Sequence, residues 1–169
     1  MNKIALVIYL SLITCICSAQ KKNIQTTFLT SKYAGSYAYG DNIEKGPIGF
    51  ITIYAESNNT ILFYIELNRG APSYNAGHLY GRVKITNGIG TFYTKLYYAE
   101  NGCKFTFSFT KNSLIIKEFD KDNDCGFGGA VFAGGNFKKT SLKNLSYFID
   151  QEGTKVYFQK TKPEDYDKD

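Results

Sequence analysis

A chain of 169 residues with 43% apolar content is enough for one domain with a real core. Its formal charge of +5 is dispersed, with Lys and Arg scattered among Tyr and Thr rather than gathered in a stripe, which argues against nucleic-acid binding. One histidine and four cysteines, with no Cys-His or paired-His spacing, offer no set of zinc ligands, and no cofactor is expected.

In chain order, Met1-Asn2-Lys3 is a short positive start and Ile4 to Ile16 is an apolar run too short to span a bilayer comfortably. Cys17-Ser18-Ala19 places small residues before a cleavage point. Residues 1–19 therefore read as a secretory signal peptide cut before Gln20, with no stable membrane insertion after its removal. An uncleaved anchor, or a lipoprotein held through Cys15 or Cys17, is the alternative. Cleavage removes Lys3 and lowers the formal charge by one. Residues 20–32 are polar and aperiodic and read as a lead-in.

From Tyr33 a rhythm of strands and turns begins. Tyr33 to Gly40 is a short aromatic strand, and Pro47 to Glu56 alternates Ile48, Phe50, Thr52 and Tyr54 against Gly49, Ile51, Ile53 and Ala55. Thr60 to Asn68 is apolar on both faces at its centre, the pattern of a strand covered on both sides. An aperiodic loop from Arg69 to His78 follows, then a strand from Leu79 to Thr86. Asn87-Gly88 is a hairpin signal, because a type I′ turn needs positive φ at both central residues, and Ile89 to Ala99 is the return strand.

Cys103, Phe105, Phe107 and Phe109 alternate against Lys104, Thr106, Ser108 and Thr110, so one face of this strand is buried. Strands are expected at Leu114 to Phe119, Ala130 to Phe137, Ser146 to Ile149 and Lys155 to Gln159. Cys103 and Cys125 alone among the cysteines lie outside the N-terminal apolar segment and are expected to form one disulfide, which suits an exported protein. No stretch after residue 19 keeps a helical apolar period. The predicted architecture is all-β: an antiparallel meander closed into a barrel over 33–160, or alternatively a β-sandwich, with a charged tail at 161–169.

The pattern CxFxFxF followed by CGFGxxVxxxGxF (Cys103, Phe105, Phe107, then Cys125, Gly126, Phe127, Gly128, Val131, Gly135, Phe137) resembles a module of small secreted bacterial β-barrel proteins. Such a module is found in proteins related to periplasmic lysozyme inhibitors. The stretch RGAPSYNAGHLYG, Arg69 to Gly81, is similar to a segment of exported proteins of this kind. The resemblance implies a disulfide-tied barrel that binds something outside the cytoplasm.

Several constellations carry chemistry on paper. Arg69, Ser73, Tyr74, Asn75 and His78 sit in a polar loop between two strands, and Arg and Tyr are the types that dominate binding hot spots, so this loop is the expected binding surface. Its alternative is a structural crossover capping one barrel end. Asp120, Asp122 and Asp124 have the alternate spacing of calcium ligands, but Cys125 intervenes before Gly126 and the later glutamate of an EF-hand is missing, so a polar loop explains them equally. The glycines from 126 to 135 would need a following helix to cradle phosphate, whereas a strand is expected. No nucleophile elbow surrounds any serine.

The function expected is therefore that of an exported, non-catalytic binding protein, periplasmic or extracellular, with a protein partner such as a cell-wall hydrolase that it inhibits. Lysozyme is the partner class the resemblance implies. A cationic lysozyme would be repelled at long range by a positive chain, unless a local acidic patch such as residues 120–124 offsets this. A carrier of a small molecule or lipid inside the barrel and a weak enzyme on cell-wall material are the alternatives.

Overall fold

The alternating runs become a single sheet. The computed structural model describes residues 27–95, 101–119 and 123–166; the expected signal peptide, Asp120, Asp122 and the last three residues lie outside them. Eight strands follow one another: β1 (Gly35–Tyr39), β2 (Ile48–Ala55), β3 (Thr60–Asn68), β4 (Ala76–Lys84), β5 (Ile89–Thr94), β6 (Cys103–Phe109), β7 (Ser113–Glu118) and β8 (Gly135–Ser141). All pairings are antiparallel and the sheet order is β4-β3-β2-β1-β8-β7-β6-β5. The first and last strands are hydrogen-bonded neighbours. The two outermost strands, β4 and β5, are consecutive in the chain, so the sheet curls into a nearly closed barrel rather than a sandwich. Asn87 and Gly88 both adopt positive φ, 51° and 81°, in the turn between them.

The period-2 pattern decides what the barrel encloses. On β2, Gly49, Ile51, Ile53 and Ala55 are buried, while Phe50 on the other face is half exposed. Phe63 of β3 meets Phe92 at 5.0 Å, Phe107 at 4.9 Å and Phe105 at 5.9 Å between ring centroids. Phe63, Phe105, Phe107 and Phe137 have no exposed surface. Burying each such ring contributes about 2–3 kcal/mol. Gly81 makes the meeting possible, because a Cβ there would lie 2.6 Å from both the Phe63 and the Phe92 ring. The interior is filled by rings, unlike the hollow barrel that a carrier needs.

β3 is covered on its outer face as well, as its doubly apolar sequence requires. Leu62, Tyr64 and Tyr80 form a second core with Phe148, Val156 and Phe158. Phe148 and Val156 come from the hairpin β9 (Tyr147–Ile149) and β10 (Lys155–Tyr157), and Phe158 follows it directly; the hairpin lies against the barrel's outer wall, with Tyr64 stacked on Phe148 at 3.9 Å. The chain then forms a short helix, α1 (Pro163–Tyr166), whose Tyr166 ring packs edge-on against Tyr64, Tyr80 and Phe148.

One expectation needs correcting, and the two flanks of the barrel carry structure of their own. The strand expected over Ala130 to Phe137 begins only at Gly135 and runs to Ser141; residues 130–134 belong to a loop. The charged tail opens with a helix docked on the barrel through apolar surface that its sequence, rich in charge, does not advertise. The lead-in also carries structure: a 3-10 turn at Leu29–Tyr33 buries Thr30, whose hydroxyl donates to the Ser57 carbonyl, and stacks Tyr33 on Phe109 at 4.6 Å.

Candidate functional site: the loop end of the barrel

Connections at the two barrel ends differ in length. One end has the short turns between β2 and β3, β4 and β5, and β6 and β7; the other has the long connections 40–47, 69–75 and 119–134. The long end is fastened by the disulfide between Cys103, the first residue of β6, and Cys125 in the last of these connections, with Cα atoms 4.4 Å apart.

The three loops brace one another through hydrogen bonds. The Ala71 amide donates to the Ile43 carbonyl at 2.9 Å, and the Gly128 amide to the Ala76 carbonyl at 2.9 Å. The Asn75 side-chain amide donates to the Gly129 carbonyl at 2.7 Å, and the Tyr74 hydroxyl to the Glu44 carboxylate at 2.7 Å. That carboxylate holds the Tyr74 proton above the ordinary phenol range. Within the middle loop, the Asn68 side chain accepts from the Gly70 amide at 2.7 Å and donates to the Tyr74 carbonyl at 3.1 Å, closing an Asx-type turn. The Glu118 carboxylate takes the amides of Ala133 and Gly134 and so fixes the third loop against the end of β7. Tyr74 and Ala130 sit at φ 51° and 59°, a conformation that costs a non-glycine residue of order 1 kcal/mol and recurs at binding sites.

Between these loops lies a cleft of about 480 Å³. Gly46 and Pro47 form one wall; Asn68, Arg69 and Ala71 a second; and Ala130, Val131, Phe132 and Gly134 a third. Tyr39 stands at its base, its ring edge-on to Phe137 at 4.7 Å. Burial, reinforced by the negative charge of Glu118, holds the Tyr39 hydroxyl proton above the ordinary phenol range. Among the described residues, the lining holds one cation, Arg69, and no carboxylate, thiol or imidazole. Phe132 is 63% exposed at the rim, an unusual position for a large apolar ring.

The expected site residues divide. Arg69 lines the cleft; Tyr74 and Ser73 are exposed on the same loop; Asn75 ties it to the third loop. His78 is elsewhere. β4 begins at Ala76, so His78 stands on the outer wall opposite Glu66, with its ring 6.3 Å from Tyr64 and 6.4 Å from Tyr166. Asp124 acts locally, its carboxylate accepting the Gly126 amide at 2.9 Å, while Asp120 and Asp122 fall outside the described residues. Sequence reasoning missed Tyr39 and Phe132 altogether. The glycine pairs Gly128-Gly129 and Gly134-Gly135 around Phe132 were the available signal, since a strand interior seldom carries so many.

No family model matches the chain, and neither a curated protein nor a solved structure matches it.

Proposed function

We propose that this is an exported, non-catalytic binding protein that holds a protein partner on the loop end of its barrel. The observation that supports this most is the braced three-loop rim. Arg69, Tyr74 and Phe132 are displayed on backbone already tied in place, so a partner would order few groups on binding. These residue types anchor protein interfaces, burying flat surface and making directed hydrogen bonds. The ring-filled interior favours this reading over a carrier of small molecules or lipids. Among the described residues the cleft lining brings no two carboxylates together, which favours this reading over hydrolysis of cell-wall material.

The partner class suggested by the resemblance is a cell-wall hydrolase, lysozyme among them, met in the periplasm or outside the cell. Arg69 at the rim then calls for an acidic or carbonyl-rich feature on the partner. The test is inhibition of lysozyme-type hydrolysis of cell walls by the chain from Gln20 onward, with binding followed by surface plasmon resonance. Arg69→Ala with Tyr74→Ala should raise the dissociation rate and cost roughly 2 kcal/mol. Neutralising Asp120, Asp122 and Asp124 to Asn should change chiefly the association rate and its salt dependence. An unchanged dissociation rate in the Arg69/Tyr74 variant, with circular dichroism intact, would place the site elsewhere. Failure to inhibit any hydrolase tried would remove that partner class.

A further inference from the structure

The barrel has a seam. Among the described residues, β4 and β5 share only the bridge between Thr86 and Ile89 at their turn, where the two amides and carbonyls are exchanged at 2.8 and 3.0 Å. Extending that hairpin register would pair Lys84 with Thr91 and Arg82 with Tyr93, yet no ladder forms there. The strands touch near the turn, where a Cβ on Gly90 would lie 2.5 Å from the Lys84 carbonyl oxygen. Further along they part around a cleft of about 150 Å³, lined by Tyr80, Gly81 and Arg82 on one side and Phe92, Tyr93 and Thr94 on the other.

Both lips of the seam are strand edges with backbone groups aimed into it. The Ile85 amide donates to the Asn59 carbonyl on the β3 side, and antiparallel ladders alternate, so the N–H and C=O groups of Tyr80, Arg82 and Lys84 point toward β5. By the same alternation from the Phe109 amide to the Gly88 carbonyl, those of Ile89, Thr91 and Tyr93 point toward β4. Edges left without a ladder partner are templates for an added strand, and folds that avoid pairing cover them; here Arg82 and Tyr93 reach solvent while Leu79, Tyr80, Gly81 and Phe92 are buried. Among the described residues the cover is slight. Pro163 and Glu164 of α1 border the cleft, and Glu164 reaches the Arg82 guanidinium at 2.7 Å while Glu56 holds the same group at 2.9 Å.

We propose that this seam is a second binding site, separate from the loop end, which takes a short extended peptide of a partner as an added strand. An acidic side chain of that peptide sits on Arg82, where Glu164 sits in the free protein. Because β4 and β5 run in opposite directions, the added strand is antiparallel to one lip and parallel to the other. A volume of 150 Å³ holds about five waters, less than a strand, so binding displaces Pro163 and Glu164. The displaced pair is exposed on the Glu164 side, and such pairs are weakly held. On the inner side the Phe92 ring already lies against Gly81, so the inward side chains of the added strand must be small and apolar; outside, Arg82 and Tyr93 read the charged one.

The test uses the chain from Gln20 onward and the acetylated, amidated peptide Thr-Val-Glu-Val-Thr, with a backbone N-methylated twin and a Gln-for-Glu analogue, followed by amide exchange and chemical-shift mapping. Expected are slowed exchange at Tyr80, Arg82, Thr91 and Tyr93, loss of binding for the N-methylated twin, and weaker binding of the Gln analogue. Glu164→Gln should tighten binding about two- to fivefold, the worth of the exposed pair it removes. Absent binding, equal binding of the N-methylated twin, or shifts confined to the loop end would overturn the proposal. Protection of the same amides that grows with protein concentration in the absence of peptide would assign the seam to a second copy of the chain and overturn it equally.

Discussion

Removing the disulfide is the most direct perturbation of the loop end. Cys103 and Cys125 enclose a loop with a sequence separation of 22, for which the chain-entropy estimate is about 3 kcal/mol at 25 °C. Cys103→Ala with Cys125→Ala also deletes two sulfur atoms from sites that are 0% and 8% exposed, adding about 1 kcal/mol of lost packing. The total, about 4 kcal/mol, is a large fraction of the stability of an ordinary domain. In urea, with a slope of about 2 kcal/mol per molar, the midpoint should fall by about 2 M in the double variant and about 1.5 M in reduced wild type. The gap between the two separates packing from cross-linking. The damage should also be local: exchange should quicken first at Asp124, Gly128 and Val131, whose amides are bonded to Gly102, Ala76 and Gly128. A shift below about 0.3 M, or unchanged exchange in this loop, would show that the hydrogen bonds alone hold the rim and that the disulfide reasoning fails.

Two further outcomes test the outer wall. Phe148→Ala removes the ring stacked on Tyr64, and should cost about 3 kcal/mol and speed amide exchange across 147–157 while the β6–β7 amides stay protected; equal acceleration everywhere would make hairpin and barrel one cooperative unit. Glu66, on the same wall, has its carboxyl proton held above the ordinary value chiefly by burial, so the folded state binds more protons than the unfolded one between the two values. Its contribution is therefore full below the unfolded value and is lost as pH rises through the folded one. Glu66→Gln, scanned by thermal melting, should be more stable than wild type at pH 7 and should lose that margin toward pH 4.

Much of the barrel was legible because its chemistry is periodic. The alternations on β2 and β6, the Asn87-Gly88 turn and the double apolar face of β3 each report a local cause, a pleat, a positive φ or a second covering layer, and each corresponds to what the chain does. The failures come from contacts made between distant parts of the chain. Residues 130–134 are apolar enough to resemble a strand, yet the Glu118 carboxylate captures the amides of Ala133 and Gly134 as a loop, an interaction between residues 15 and 16 positions apart that no window of sequence displays. The tail is similar: among its described residues Tyr166 carries the ring contacts to the outer wall, and charges surround it. Arg69 was visible as a type with binding potential. That Tyr39 and Phe132 meet it around one cleft depends on three loops folding together, information held in register rather than in composition.

The sheet order has a consequence for how the chain assembles. Strands β1 to β4 and strands β5 to β8 are each runs of strands paired with their neighbours in sequence, so each half can form from nearby contacts. What unites the halves is the ladder of Ser36, Tyr37 and Ala38 with Ser141, Lys139 and Lys138, a hundred residues or more apart in the chain. Closing so long a loop delays the reward for doing so. The barrel is thus completed at its chain ends and left ajar at its midpoint, the reverse of a meander zipped from one end. A chain emerging N-terminus first could shape its first four strands early but could not join the two halves until residue 141 had arrived.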